Sequence, residues 1–219
     1  SKTMDAHIAS VQRSFGGRVS AYVSDPSLGV KYAHDTERPS YIASGVKVPF
    51  MIEVFRQADQ GLLSWDETLE YNEAAIRDGA PRLNRRPLNS KITIRELVRI
   101  MVQSSDNAAS DMLARRVGLN NINTGLKVQG FDGFNRLTYL IDVRRGVFRE
   151  LDLRGDDLTN LEIRKIRWTW GWRSHVAKLT QTLGRPAGTY SVKDLHAAYH
   201  RFYETGANHA RVDSLGHLM

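Results

Sequence analysis

Ser44-Gly45-Val46-Lys47-Val48-Pro49-Phe50-Met51-Ile52-Glu53-Val54-Phe55 sets a Ser-x-x-Lys pair at the head of an apolar run. Val48, Met51, Ile52 and Phe55 recur at i, i+3, i+4 and i+7, which predicts an amphipathic helix from near Ser44 with that stripe turned inward. Gly61 stands where a left-handed cap would close it. Residues three apart share a helix face, so Ser44 and Lys47 lie together and Lys47 points into the protein. Desolvation there lowers the pKa of an ammonium and frees a lone pair that could activate the hydroxyl. The helix N-terminus also offers free N–H groups to a developing oxyanion. Pro49 removes a donor in the first turn at small cost. Alone the pair carries little, since roughly one Ser-x-x-Lys arises by chance in a chain of this length, commonly as an N-cap serine with a surface lysine.

Ser105-Asp106-Asn107 changes that weighing. It sits at a predicted helix–helix junction. Upstream, Thr93-Ile94-Arg95-Glu96 reads as a capping box opening a helix with Ile94, Leu97, Val98 and Met101. Downstream, a second helix runs from about Ala108 to Val117 and is closed by Gly118. A hydroxyl at Ser105 could relay a proton between the Lys47 amine and a leaving-group nitrogen. Asn107 offers an acceptor and two donors to a substrate amide, and Asp106 could bond nearby backbone and fix the turn. An ordinary linker also favours Ser, Asp and Asn, but this tripeptide is expected by chance in only roughly a few per cent of such chains.

Outward from these motifs, residues 4–15 read as a helix ended by Gly16-Gly17. Arg18 to Ser24 alternates like a strand, Asp25-Pro26-Ser27 turns, and Leu28 to Ala33 pairs back as a hairpin. Residues 72–92 read as a loop with a short helical turn. Leu137 to Leu153, interrupted by Arg144-Arg145-Gly146, reads as strand or extended loop. Trp168, Trp170 and Trp172 would share one face under strand alternation, either burying this insert against the body or stacking on a ligand. Ser191 with Asp194 opens a last helix carrying Val192, Leu195, Tyr199 and Phe202.

The 219 residues are 41% hydrophobic and 25% charged, enough for a real core in one domain and unlike a disordered or fibrous chain. No apolar stretch approaches the length of a membrane span. The chain opens Ser1-Lys2-Thr3-Met4 with no secretion signal, and is read as processed or as cut from something longer. With no cysteine there is no disulfide, thiolate metal site or thiol nucleophile. The net charge of +7 comes from basic residues interleaved with acids, not from the clustered stripe of a phosphate-binding face, so no nucleic-acid partner is expected. His196 and His200 have metal-compatible i, i+4 spacing without an evident third ligand, so neither metal nor cofactor is expected.

With these motifs in view the chain resembles the class A serine β-lactamases, relatives of the penicillin-binding proteins. The flanks agree: Gly17-Arg18-Val19, Lys47-Val48-Pro49, Gly61-Leu62-Leu63-Ser64-Trp65-Asp66-Glu67 and Thr93-Ile94-Arg95-Glu96-Leu97. The likeness covers about residues 4–118 well and 189–219 loosely. It implies an α+β fold, an antiparallel sheet flanked by helices. It further implies a single domain over 1–219, with a helical lobe at about 44–190 and a sheet lobe built from 1–43 and C-terminal strands. It implies that Ser44 is acylated, Lys47 activates it, Ser105 shuttles the proton and Asn107 binds the substrate side-chain amide. The substrate would be a β-lactam or a peptidoglycan stem peptide, the protein a monomer, and its place the periplasm or the cell exterior.

Three departures qualify the resemblance. The family's Lys-Thr-Gly strand is missing: Glu204-Thr205-Gly206 lacks the lysine and closes a helix, and the chain stops at Met219, so a truncated chain is expected. The deacylating Glu-x-x-Leu-Asn string is absent too. Counting from Asn107 puts its place near Ile141-Asp142, and Glu150, Asp152 and Glu162 are alternatives more simply read as solvated acids paired with Arg149, Arg154 or Arg164. Residues 72–104 contain no aromatic where the family carries a rim aromatic. Two further readings therefore stand beside the hydrolase. One is a D-alanyl-D-alanine peptidase or penicillin-binding relative with slow deacylation. The other is a non-catalytic peptidoglycan-binding domain using the tryptophans.

Overall fold

The structure, a computed structural model, describes residues 2–219. Helix α1 (Lys2–Phe15) ends at Gly16, whose φ of +68° and bond to the Gln12 carbonyl make the left-handed stop. Strands β1 (Ala21–Asp25) and β2 (Val30–His34) form an antiparallel hairpin, its turn held by Asp25 accepting from the Ser27 and Leu28 N–H groups. After β3 (Ser40–Tyr41), a 3₁₀ turn (Ala43–Val46) leads into α2 (Lys47–Asp59). Strands β4 (Thr68–Tyr71) and β5 (Ser90–Thr93) pair antiparallel and bracket the loop between them. Helices α3 (Ile94–Ser104), α4 (Asn107–Val117) and α5 (Leu119–Val128) follow. Then come α6 (Leu140–Leu151), α7 (Asn160–Arg167), α8 (Trp172–Thr182) and α9 (Val192–Glu204). Strand β6 (His209–Ala210) pairs with β3, and α10 (Val212–Leu218) packs against the hairpin. The strands form three separate antiparallel pairs among the described residues, within an α+β architecture dominated by helices. No helix among the described residues is long and apolar enough to cross a membrane.

Two apolar clusters hold the helices. The first gathers Val46, Phe50 and Val54 of the α2 segment with Leu97 and Met101 of α3 and Leu113 of α4. The second gathers Ile141 and Phe148 of α6, Ile163 of α7, Leu179 of α8 and Phe202 of α9. Each such side chain contributes roughly 1.5–3 kcal/mol by leaving water. The inward stripe of α2 is therefore not the expected Val48–Met51–Ile52–Phe55 set: Phe55 is 45% exposed, while Val46, Phe50 and Val54 are fully buried. The real stripe begins two residues earlier and includes polar positions. Glu53 and Gln57 are buried because Arg56 answers the Glu53 carboxylate and Gln57 bridges Glu53 to the Val117 carbonyl.

The reading of Leu137–Leu153 as strand is overturned, for residues 140–151 form α6. No side chain at Tyr139 caps it; instead Asp111 of α4 accepts from the backbone N–H groups of Leu140 and Ile141 at 2.7 and 3.1 Å. Gly146 lets α9 approach, since a Cβ there would lie 2.4 Å from the Phe202 ring. The tryptophans do not share a buried strand face. They occupy the turn from α7 into α8, where Trp170 is 96% and Trp168 72% exposed. The Ser191–Asp194 capping box is complete, whereas Thr93 caps the Glu96 N–H without a return bond, because the Glu96 carboxylate turns to Arg99.

Candidate active site

Ser44 lies in the 3₁₀ turn that runs into α2, not in the α-helix itself, and its side chain faces solvent. The segment before it is fixed at both ends. β3 is zipped to β6, and the Ile42 N–H donates to the carbonyl of buried Asn208 at 3.0 Å. Ala43, immediately before Ser44, has φ +46°, a conformation costly for a residue with a Cβ and sustained only where the surroundings impose it. One helical turn on, Lys47 is buried, with its Nζ pointed at the α3–α4 junction. That nitrogen lies 2.6 Å from the Ser105 carbonyl oxygen, 2.8 Å from Ser105 Oγ, 2.9 Å from Asn107 Oδ1 and 3.4 Å from Ser44 Oγ. Ser105 Oγ in turn is 3.1 Å from Ser44 Oγ. The four residues picked out in the sequence thus converge in one cluster. Burial pushes the Lys47 amine down to about 8, although Asp106 and Asp111 pull it back up.

The junction is built by Asp106. Its carboxylate is fully buried, yet it accepts four backbone N–H groups at 3.0 Å: those of Ala108 and Ala109, which cap α4, and those of Arg82 and Leu83 across the chain. This clamps the loop between β4 and β5 onto the start of α4 and forces Ser105 into the left-handed region, φ +52° and ψ +36°. The expectation that Asp106 fixes a turn undersold it, since half of its bonds tie together segments 23 and 24 residues apart. Asn107 is held as firmly, its Nδ2 donating to the Asp78 carbonyl at 2.9 Å and its N–H to the Gly79 carbonyl at 3.0 Å. Gly79 has φ +62°, and a Cβ there would meet Asn107 Nδ2 at 2.6 Å. Sequence reasoning missed Asp78 and Gly79, although an Asp-Gly dipeptide is a turn signal in its own right.

The acids weighed for water activation lie elsewhere. Asp152 accepts from Arg185 and Tyr190, which holds it well below the usual carboxylate range; Glu150 pairs with Arg201, and Glu162 closes a capping box with Thr159. All three are engaged structurally, and their charged partners are not the expected Arg149, Arg154 and Arg164, although Asp152 also accepts from the Arg154 backbone N–H at 3.0 Å. At the counted place, Ile141 is fully buried. His196 stacks edge-on with Trp172, and no group of three or more His, Cys, Asp or Glu among the described residues is placed to hold a metal.

Asp78 links the cluster to a recess of about 340 Å³ whose wall includes Arg144, Arg167, Trp172 and Tyr199. Arg144 Nε meets Asp78 Oδ2 at 2.8 Å, and Arg167 Nε approaches the same oxygen to 3.5 Å. Burial works against the Arg144 charge, but Asp78 more than offsets it, so its pKa is raised. On the other flank Tyr41, three residues before Ser44, stacks on Tyr203 at 4.6 Å, and burial pushes its hydroxyl up to about 12.

Comparison with known proteins bears on this arrangement. The model of the β-lactamase enzyme family matches residues 3–198. A carbapenem-hydrolysing β-lactamase KPC of Klebsiella oxytoca is 26% identical over 110 residues, half of this chain and 37% of that protein. Among solved structures, a β-lactamase from Sphaerobacter thermophilus superposes with a TM-score of 0.58 at 23% identity, covering 80% of this chain and 68% of its own. A variant of the reconstructed last common ancestor of Gram-negative class A β-lactamases gives a TM-score of 0.61 at 19% identity, covering 90% and 69%. These structural likenesses support the fold.

Proposed function

Since the chain belongs to the β-lactamase enzyme family, we propose that it is a serine hydrolase that opens a β-lactam amide through an acyl-Ser44 intermediate. The observation that carries this reading is the hydrogen-bond arithmetic at Lys47. A neutral amine has two N–H groups and one lone pair. The Ser105 carbonyl and Asn107 Oδ1 are pure acceptors and take both N–H groups, which leaves the lone pair for the hydroxyls. Ser105 Oγ–H can then donate to Nζ while its oxygen accepts from Ser44 Oγ–H. As Ser44 Oγ attacks the carbonyl carbon, its proton moves to Ser105 and the Ser105 proton moves to Lys47. When the C–N bond breaks, Ser105 protonates the leaving nitrogen and is recharged from Lys47, so the sequence balances without an outside acid or base. The second Nδ2 hydrogen of Asn107 remains for a substrate carbonyl.

Among the described residues, Ser44, Lys47 and Ser105 bond one another and no carboxylate. A β-lactam or a stem peptide of similar shape fits the reading, acting as a monomeric enzyme in the periplasm or outside the cell. Intact mass spectrometry over a time course with a penicillin tests it. The expected result is a penicilloyl adduct that forms, disappears as drug is consumed, and is abolished by Ser44→Ala. An adduct that stays moves the chain to the penicillin-binding side, and no adduct at all refutes Ser44 as the nucleophile.

A further inference from the structure

We propose that the recess between Arg144, Arg167, Trp172, Tyr199 and Tyr203 is a subsite for a carboxylate carried on the substrate's substituent, distant from the bond that breaks. The inference builds on the acyl-Ser44 reading and names the substrate class it favours.

The recess is joined to the reacting cluster by direct contacts. Lys47 bonds Asn107, Asn107 bonds the Asp78 carbonyl, and the Asp78 carboxylate bonds Arg144 in the recess wall. Tyr203, on the same wall, stacks on Tyr41 close before Ser44. The wall is thus separated by one residue, Asp78, from Asn107, the side chain read as holding the substituent's amide.

The charge of the wall is unbalanced. Arg144 and Arg167 share the single carboxylate of Asp78, two guanidiniums to one anion. Arg144 adds only a 3.4 Å bond to the Tyr199 hydroxyl, and Arg167 a 3.3 Å contact to His175 Nδ1. Arg167 Nε is buried beside that carboxylate and makes no hydrogen bond, so charge alone holds the guanidinium there. An incoming carboxylate would satisfy the surplus charge and take N–H donors from the guanidinium edge, the bidentate pairing for which arginine is suited. Around these cations the lining is aromatic, with Trp172 edge-on to both His196 and Tyr199. A flat or hydrocarbon group on the same substituent would rest there. The Trp172 indole is 45% exposed and stands at the mouth.

The test compares two penicillins that differ only in a carboxylate on the carbon next to the side-chain carbonyl. The rate constant for Ser44 acylation is expected to be about tenfold higher for the carboxylated compound, a gap equal to one charge-assisted hydrogen bond. Arg167→Gln should make the two rate constants equal within the variant. Equal rates for the two compounds in the parent chain, or an equal loss with both in the variant, would overturn the subsite. A second readout does not need acylation. In the Ser44→Ala chain, nitrogen-edited NMR resolves the indole N–H groups of the four tryptophans. The carboxylated penicillin should shift Trp172 saturably, and Arg167→Gln should abolish the shift. If Ser44 is never acylated yet this shift is seen, the subsite stands and the nucleophile fails; if Trp172 does not move, the subsite fails.

Discussion

Lys47 stands between two requirements, because an amine buried enough to lose its proton is also a burden on the fold. Its pKa of about 8 against an ordinary 10.5 means that at pH 7 roughly a tenth of the protein holds it neutral. If the neutral amine accepts the Ser105 proton, the acylation rate constant should climb about tenfold from pH 7 to a plateau above pH 9. A profile flat over that range, measured by adduct formation, would remove Lys47 from the proton path. The stability effect has a definite sign. Between pH 8 and 10.5 the unfolded chain binds the extra proton, so this group makes the fold more stable as pH rises through that window. Below pH 8 the cost of burial is fully present. Lys47→Met should therefore abolish acylation while raising stability at pH 7 by about 1 kcal/mol, or roughly 2–4 °C in Tm. It should also flatten the rise in stability between pH 8 and 10. The gain stays small because the Ser105 carbonyl and Asn107 Oδ1 lose their donor.

At the scale of elements, α6 shows what a local reading misses. The sequence motifs around Ser44, Lys47, Ser105 and Asn107 led to residues that do converge, and the α1, hairpin, α3, α4 and α9 boundaries follow from glycine stops, turn residues and caps close in sequence. The start of α6 is capped from α4 by Asp111, 29 and 30 residues away, and Asp111 itself is held by buried Arg77 at 2.6 Å. Arg144-Arg145-Gly146 looks like a break only because the partner that needs the glycine, Phe202, lies far along the chain. The α2 stripe was displaced for a related reason: buried Glu53 and Gln57 satisfy one another, so polar letters sit where the periodicity asked for apolar ones. The glycine supplies a test. In an exposed helix, Gly→Ala gains about 1 kcal/mol, but Gly146→Ala forces a methyl onto the Phe202 ring and should lose about 1–2 kcal/mol net. Combined with Phe202→Leu the loss should be less than additive in a urea-unfolding double-mutant cycle. A stabilised Gly146→Ala chain, or strict additivity, would mean that α6 and α9 do not meet through this contact.

For the molecule as a whole, burial is distributed unevenly. We propose that residues 1–219 act as one β-lactamase-like domain whose helical lobe, about 44–190, carries the stability and draws α9 into its second apolar cluster. In α1 the sole buried residue is Ile8, and no residue of the β1–β2 hairpin is fully buried. The hydrogen bonds around these elements lie near the surface: Tyr22 to His217 of α10 at 2.6 Å, and, within the segment itself, Arg18 to Asp35 and to the backbone of Arg38 and Pro39. Such contacts are worth little against the entropy of ordering the chain, whereas α2, α3 and α4 share the first cluster. Native-state hydrogen exchange should therefore find the amides of α1, β1 and β2 opening locally, at free energies well below those of α3 and α4, which should report global unfolding. The site depends on this difference. Lys47 is fixed by α2 and the serine–asparagine junction by Asp106, both on the strongly buried side, while the segment before Ser44 is held by the largely half-buried β3–β6 pairing. Uniform protection from α1 through α4 would contradict the division. It would also mean that the hairpin, through α10 and β6, helps to hold Ser44 against Ser105.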